Sequence, residues 1–165
     1  LGTIEDLIEK LKGIQAFIKK EAQNAIEENK KEILDLNKAQ MLVLGVDSND
    51  DKLGEYAEVS IFGDPTRDIP GRLARGLQVE FIDLRYTGEF QDSEVLYKSK
   101  DNQKDEFEYT MDATDPKWQD DLSPRWPEAI GLNEDNQGKT AEIITNNVWQ
   151  KVDKYLSSDV GIKTV

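Results

Sequence analysis

The run Leu84-Arg85-Tyr86-Thr87-Gly88-Glu89-Phe90-Gln91-Asp92-Ser93 divides the chain into two unlike halves. A long helical pattern and an irregular acidic loop precede it, and a hairpin and a helical tail follow. Leu77, Val79, Phe81 and the run Ile82 to Leu84 predict a strand that enters a corner at Thr87 and Gly88. Gly88 suits a sharp turn because, without a Cβ, it takes positive φ at little cost. Phe90, Val95 and Tyr97 predict a second strand leaving the corner, with Gln91-Asp92-Ser93 readable as a helical turn or a bulge. After the polar turn Lys100 to Asp105, Phe107, Tyr109 and Met111 alternate with Glu106, Glu108, Thr110 and Asp112, the period of a half-buried antiparallel strand. Leu84 to Ser93 is thereby read as the central strand and structural corner, at Thr87, Gly88 and Phe90, of one small sheet.

Upstream, Ile4, Leu7, Ile8, Leu11, Ile14, Phe17, Ile18, Ala22, Ala25, Ile26, Ile33, Leu34, Leu36 and Met41 recur at a helical period. Thr3 is the expected N-cap, with Asp6 favourable at the third helical position. The pattern predicts one long helix, or two nearly collinear ones around the polar stretch Asn29 to Glu32, ending near Gly45. The stripe is narrow and keeps no strict heptad, so the helix asks for a partner surface other than a coiled coil. The small sheet is the expected one. Downstream, Asp115-Pro116-Lys117 opens a short helix by the rule of an acidic cap before proline. Ser123 to Pro127 interrupts it, Ala129 to Leu132 forms an apolar turn, and Asn133 or Asn136 caps a final helix with Ala141, Ile144, Val148, Val152 and Tyr155 on one face.

These segments predict an α+β fold in a single domain: a long helix over 1–45, a loop or arm over 46–76, a small antiparallel sheet over 77–113 and a helical tail over 114–158. At 165 residues the chain is long enough for one real core. The net charge of −13 opposes phosphate binding, so sequence-specific nucleic-acid recognition is not expected. Cysteine and histidine are absent, which removes disulfides, thiolate nucleophiles, His-ligated metals and Ser-His triads together. No window has the length of apolar sequence that a membrane span needs, and no export signal is visible at the start.

Candidate sites are few. Asp47 to Glu58 resembles a calcium loop in its oxygen ligands at the first, third, fifth and twelfth positions, but Lys52 stands where the turn needs Gly. A calcium-dependent binding module is therefore one alternative. A carboxylate or metal-dependent hydrolase is another, and Asp83, Glu89, Asp92, Asp112 and Asp115 are the grouping near predicted strand ends that it would need. The Pro/Gly-rich arm carries Arg67, Arg72 and Arg75, the most basic part of an acidic chain, and is suited to meet an acidic neighbour or to remain solvated. Trp118, Trp126 and Trp149 read as core and interface anchors. No catalytic, cofactor-binding or metal-binding residue is assigned, and no cofactor is expected.

Three groups of residues, taken in order, resemble a known pattern. They are Gly45, Asp47, Lys52, Leu53, Gly54 and Tyr56; Leu84, Thr87, Gly88, Phe90 and Ser93; and Trp126, Ile130, Gly131 and Leu132. Together they resemble small virion proteins of phages and prophages of Bacteroides-like bacteria. More broadly they are similar to the tail-completion and head-tail joining (neck) proteins of tailed phages. The resemblance implies a non-enzymatic α+β subunit of the virion, made in the bacterial host cytoplasm. It implies a homo-oligomeric ring between portal and tail, with portal, adaptor or tail proteins as partners. The Pro/Gly/Arg arm and the polar tail depart from that pattern.

Overall fold

The computed structural model describes residues 4–56, 58, 69–85, 87–99 and 108–157. The expected cap at Thr3, the alternating position Phe107, the polar turn at 100–105, residues 59–68 of the arm including Arg67, and the chain after Ser157 lie outside them. Helix α1 covers Ile4–Glu28 and α2 Lys30–Ala39. They are separated at Asn29, whose side-chain amide donates to the Ala25 carbonyl at 2.7 Å in competition with the helical ladder. A π-helical turn, Gln40–Leu44, ends at Gly45 with φ 66°. The expected stop at Gly45 is present, and its reason is twofold. The residue is left-handed, and a Cβ there would stand 2.3 Å from the Phe81 ring.

The short helices α3 (Ile69–Leu73) and α4 (Glu89–Asp92) follow, then strands β1 (Glu94–Lys98) and β2 (Tyr109–Ala113). The strands pair antiparallel, with Glu94 opposite Ala113 and Lys98 opposite Tyr109. A second π-helical turn, Trp118–Leu122, leads to α5, Glu134–Ser157. Asn133 caps α5 as expected, its Oδ1 accepting from the Asn136 amide at 3.1 Å. The fold is α+β: a long N-terminal helix, a two-stranded antiparallel sheet and a C-terminal helix.

The chain groups into two compact units, one formed by residues up to Lys30 with those from Gly138 onward, the other by Lys31–Gln137. In the first, α1 and α5 lie together. The Phe17 and Tyr155 rings stack at 4.2 Å, Lys10 Nζ donates to the Tyr155 carbonyl at 3.3 Å, and Lys151 bridges Glu21 and Glu28 at 3.2 Å each. In the second, the apolar core is Met41, Leu53, Phe90, Ala113, Trp118 and Ala129, with Phe90 stacked on Trp118 at 5.3 Å. A polar framework lies beside it. Asn37 and Gln40, both fully buried, hold the 131–133 turn: Asn37 Oδ1 accepts from the Gly131 amide at 2.9 Å, and Gln40 Oε1 from the Asn133 amide at 2.9 Å. Asn136 Nδ2 adds bonds to Gln40 Oε1 and to the Leu36 carbonyl. Asn37, Gln40 and Asn136 thus each have internal partners, which removes most of the desolvation cost of placing them inside.

Several expectations need correction. Leu77 to Leu84 forms no strand and bends at Glu80 and Phe81; the Gln78 side chain receives the Glu80 and Phe81 amides and donates to the Phe81 carbonyl, closing a local turn. Leu84 itself has φ 56°. Leu84 to Ser93 is therefore not a central strand. Gly88 does take positive φ, at 95°, but as the N-cap of α4, and Phe90 belongs to that helical turn. The sheet meets the N-terminal helical region through α2, where Asn37 Nδ2 donates to Glu94 at 3.2 Å, while the aromatic partner of α1 is α5. On α5, Val152 is buried and Ala141 is exposed, so the apolar face begins later than its pattern predicts.

Candidate functional site

A cleft of about 510 Å3 opens in the Lys31–Gln137 unit. Its apolar floor comes from Ile82 and Leu84 of the 77–84 segment, Phe90 of α4, Leu122 of the second π-helical turn, and Trp126. Trp126 is fixed by its indole N–H, which donates to the Leu53 carbonyl at 2.8 Å. Glu55, Arg85, Glu89, Asp115, Lys117 and Asp121 supply the charges of the lining.

At one end the wall is an internal ion pair. Arg72 Nη2 donates to both Asp83 oxygens at 2.9 Å, Nε to the Gln78 carbonyl at 2.9 Å and Nη1 to the Arg85 carbonyl at 2.6 Å. The guanidinium lies 4.0 Å from the centre of the Tyr56 ring, and Tyr56 Oη donates to Asp83 at 2.8 Å. Burial, more than its neighbours, pushes the Tyr56 phenol well above its ordinary pKa, so it remains a donor. This network pins α3 to the 78–85 segment. It leaves the guanidinium occupied by internal acceptors.

That geometry corrects the reading of Arg72 as an interface residue, since it is 1% exposed. Only its immediate neighbours in α3, Ile69, Pro70, Gly71 and Leu73, are uncharged; Arg67, Asp68 and Arg75 lie close in the sequence, so nothing local marked it as internal. Arg75 is exposed beyond α3, and Arg67 lies outside the described residues. The tryptophans separate. Trp118 is a core residue, buried to 5% exposure, with its N–H on Asp112; Trp126 is half-buried beside the core; Trp149 on α5 is 64% exposed. Thr87 and Gly88 sit on the cleft wall, with Thr87 Oγ1 bonded to Glu89 at 3.0 Å.

The two carboxylate constellations take other roles. In the Asp47–Glu58 loop, Asp47 Oδ1 accepts from the Asn49 and Asp51 amides at 2.8 and 3.0 Å, and Asp50 accepts from Asn133 Nδ2. Asp47 thus closes the turn on its own amides, Asp50 ties it to Asn133, and Tyr56 packs against Arg72 and Asp83. The five carboxylates near the predicted strand ends do not converge. Asp83 pairs with Arg72, Glu89 meets Thr87, Asp92 stands 3.9 Å from Lys38, Asp112 receives Trp118, and Asp115 caps the Lys117 amide at 2.9 Å. Among the described residues no group of three or more carboxylates could hold a metal ion, and no helix is long and apolar enough to cross a membrane.

The second feature is a helix face. Ile4, Leu7, Ile8 and Leu11 are 75%, 41%, 48% and 51% exposed, yet Ala25 and Ile26, on the same stripe of α1, are buried. Phe17, Glu21 and Glu28, which meet α5, project from an adjacent face about a third of a turn away at 3.6 residues per turn. The stripe is covered at its C-terminal end and open at its N-terminal end.

No family model, no curated protein and no solved structure matches the chain.

Proposed function

We propose that this protein is a structural, non-catalytic subunit that works by protein-protein assembly, as a ring component of the neck or tail-completion region of a tailed-phage virion. The single observation that carries the assembly reading is the open row Ile4, Leu7, Ile8 and Leu11. An aliphatic row at i, i+3, i+4 and i+7 is the pattern by which one helix seats on a partner, and contiguous exposed apolar surface marks such contacts. Covering the row is worth about 3–6 kcal/mol for roughly two side chains' worth of buried area, before the cost of association. The virion setting rests on the resemblance of the Gly45–Tyr56, Leu84–Ser93 and Trp126–Leu132 groups to neck proteins. A net charge of −13 suits it, because an acidic ring wall repels DNA and lets it pass without sticking.

Two measurements test this reading. Sedimentation of the chain, alone and with a portal-type protein encoded beside it, should show an assembly that Leu7→Glu with Leu11→Glu dissolves while the circular dichroism of the chain is unchanged. Mass spectrometry of purified virions should find the chain in a fixed ring-like copy number. Its absence from the particle would sink the virion reading.

A further inference from the structure

We infer that Glu94 is a proton-controlled latch on the junction of α2, β1 and the 131–133 turn, closed while its carboxyl is neutral and released when the proton leaves. Glu94 opens β1 and is 6% exposed. Its Oε2 accepts from Asn37 Nδ2 at 3.2 Å, and its Oε1 has no hydrogen-bond partner. One neutral amide is too little for an anion. A buried carboxylate needs a cation or several donors, and without them it keeps its proton.

The charges around Glu94 do not supply that compensation. On α2, Lys38 follows Asn37 but stands 3.9 Å from Asp92 of α4, and Asp35 pairs with Lys31 of its own helix. Burial is the largest influence on the Glu94 carboxyl and raises its pKa; Asn37 and Lys38 oppose the rise, and Asp35 and Asp92 add to it. Across the sheet Glu94 faces Ala113, which carries no charge. The Gly131-Leu132-Asn133 turn carries none either.

Asn37 connects the carboxyl to that turn. Its Oδ1 accepts from the Gly131 amide at 2.9 Å, and the Gly131 carbonyl accepts from Gln40 Nε2 at 3.1 Å. Gln40 Oε1 accepts in turn from the Asn133 amide at 2.9 Å and from Asn136 Nδ2 at 3.1 Å. Glu94 therefore stands at one end of a continuous chain of bonds that reaches the N-cap of α5. Ionisation strengthens the single bond from Asn37, but burial is the larger effect, so the anion favours states in which water reaches both of its oxygens. Those states open the contact between β1 and α2. Asn37 Nδ2 then loses its acceptor, and the side chain that holds Gly131 loses its support from Glu94. Protonation at one carboxyl thus biases a local two-state element, and the turn that caps α5 follows it.

Amide hydrogen exchange of the full chain, expressed as protection relative to the intrinsic rate at each pH, tests the latch. Between pH 5 and pH 8 the Gly131 and Asn133 amides should lose at least tenfold in protection. The Ile82 amide, bonded to the Gly54 carbonyl away from the chain of bonds, should lose less than twofold. In Glu94→Gln, neutral at every pH, both turn amides should keep their pH 5 protection at pH 8. A carbon-13 titration of the wild-type Glu94 carboxyl should give a midpoint near the value of about 7 set by its burial. A midpoint below pH 5 overturns the latch. So does a midpoint near 7 with unchanged protection at Gly131 and Asn133, and so does an equal loss at Ile82, which would make the opening global. Should Glu94→Gln fail to fold, the wild-type titration and exchange decide the matter by themselves.

Discussion

The two compact units differ in what they bury. The Lys31–Gln137 unit encloses polar and charged side chains as well as apolar ones: Asn37, Gln40, Arg72, Asp83, Gln91, Glu94 and Asn133 are all buried there. In the α1–α5 unit the buried residues are apolar, and Ile4, Leu7, Ile8 and Leu11 stand in solvent, as Val43, Leu44 and Leu73 do in the other unit. A buried polar group tolerates almost no rearrangement, because each lost partner exposes its full desolvation cost. An exposed aliphatic row tolerates more, since much of its surface already meets solvent. The Lys31–Gln137 unit is therefore the one whose geometry is fixed by paired internal polar groups.

The strongest way to break this contrast is at Arg72. Arg72→Met leaves Asp83 buried without its cation, and removing one member of such a pair costs about 3–5 kcal/mol. Urea unfolding should show the loss, and adding Asp83→Leu should recover much of it. Recovery would show that the pair specifies geometry more than it supplies stability. Gly45→Ala comes next, at about 3 kcal/mol, because left-handed strain and a 2.3 Å approach to Phe81 act together. A melting temperature within a degree or two of wild type would mean that Phe81 moves freely.

Glu94 tests whether every buried polar group is equally settled. One oxygen accepts from Asn37 and the other has no partner, and burial pushes its carboxyl up from 4.5 to about 7. Asn37 and Lys38 oppose that rise, while Asp35 and Asp92 add to it. The folded state thus holds the proton more tightly than the unfolded state. Its stabilising contribution is complete below about pH 4.5 and is lost as pH rises through about 7. Glu94→Gln should flatten that slope and, above pH 7, raise stability by up to about 3 kcal/mol. Parallel pH profiles for the two proteins would remove the buried-acid account.

Gly88→Ala is expected to cost only about 1–2 kcal/mol, since φ is 95° but an added Cβ meets nothing within 4 Å. Loss of folding at that site would show that the corner bears more than its backbone angle indicates. Smallest in stability is Ile8→Lys on the open row, expected to stay within about 0.5 kcal/mol by thermal melting. That variant should nonetheless weaken self-association, which separates the two kinds of surface in a single protein.

The parts legible in the sequence were those that depend on neighbours along the chain. The helical period of α1 and α2, the stop at Gly45, the strand at Tyr109 to Ala113, though not its in-out burial, and the cap at Asn133 follow from local sterics and from local hydrogen bonding. The strand predicted over Leu77 to Leu84 failed because alternation records only that side chains face two ways. Whether a ladder forms depends on a partner edge, and here the Gln78 side chain takes the Glu80 and Phe81 backbone groups, Arg72 Nε the Gln78 carbonyl and Tyr56 Oη the Asp83 amide.

The cleft and the polar framework could not be read in the same way. Arg72 and Asp83 are 11 residues apart, and Asn37 and Gln40 reach partners more than 90 residues away. An arginine in a Pro/Gly-rich stretch looks like surface until the chain closes a carboxylate and two carbonyls around it. The sequence by itself determined that α1, α2 and α5 would be helical, that the first helical run would stop at Gly45 and the last would be capped at Asn133, and that the chain would be strongly acidic. Only the tertiary structure decided which charges would be internal, that Thr87-Gly88 would cap a helix beside a cleft, and that one end of the α1 stripe would stay open. The reason is physical: local energies act over three or four residues, whereas burial is settled only when distant segments meet.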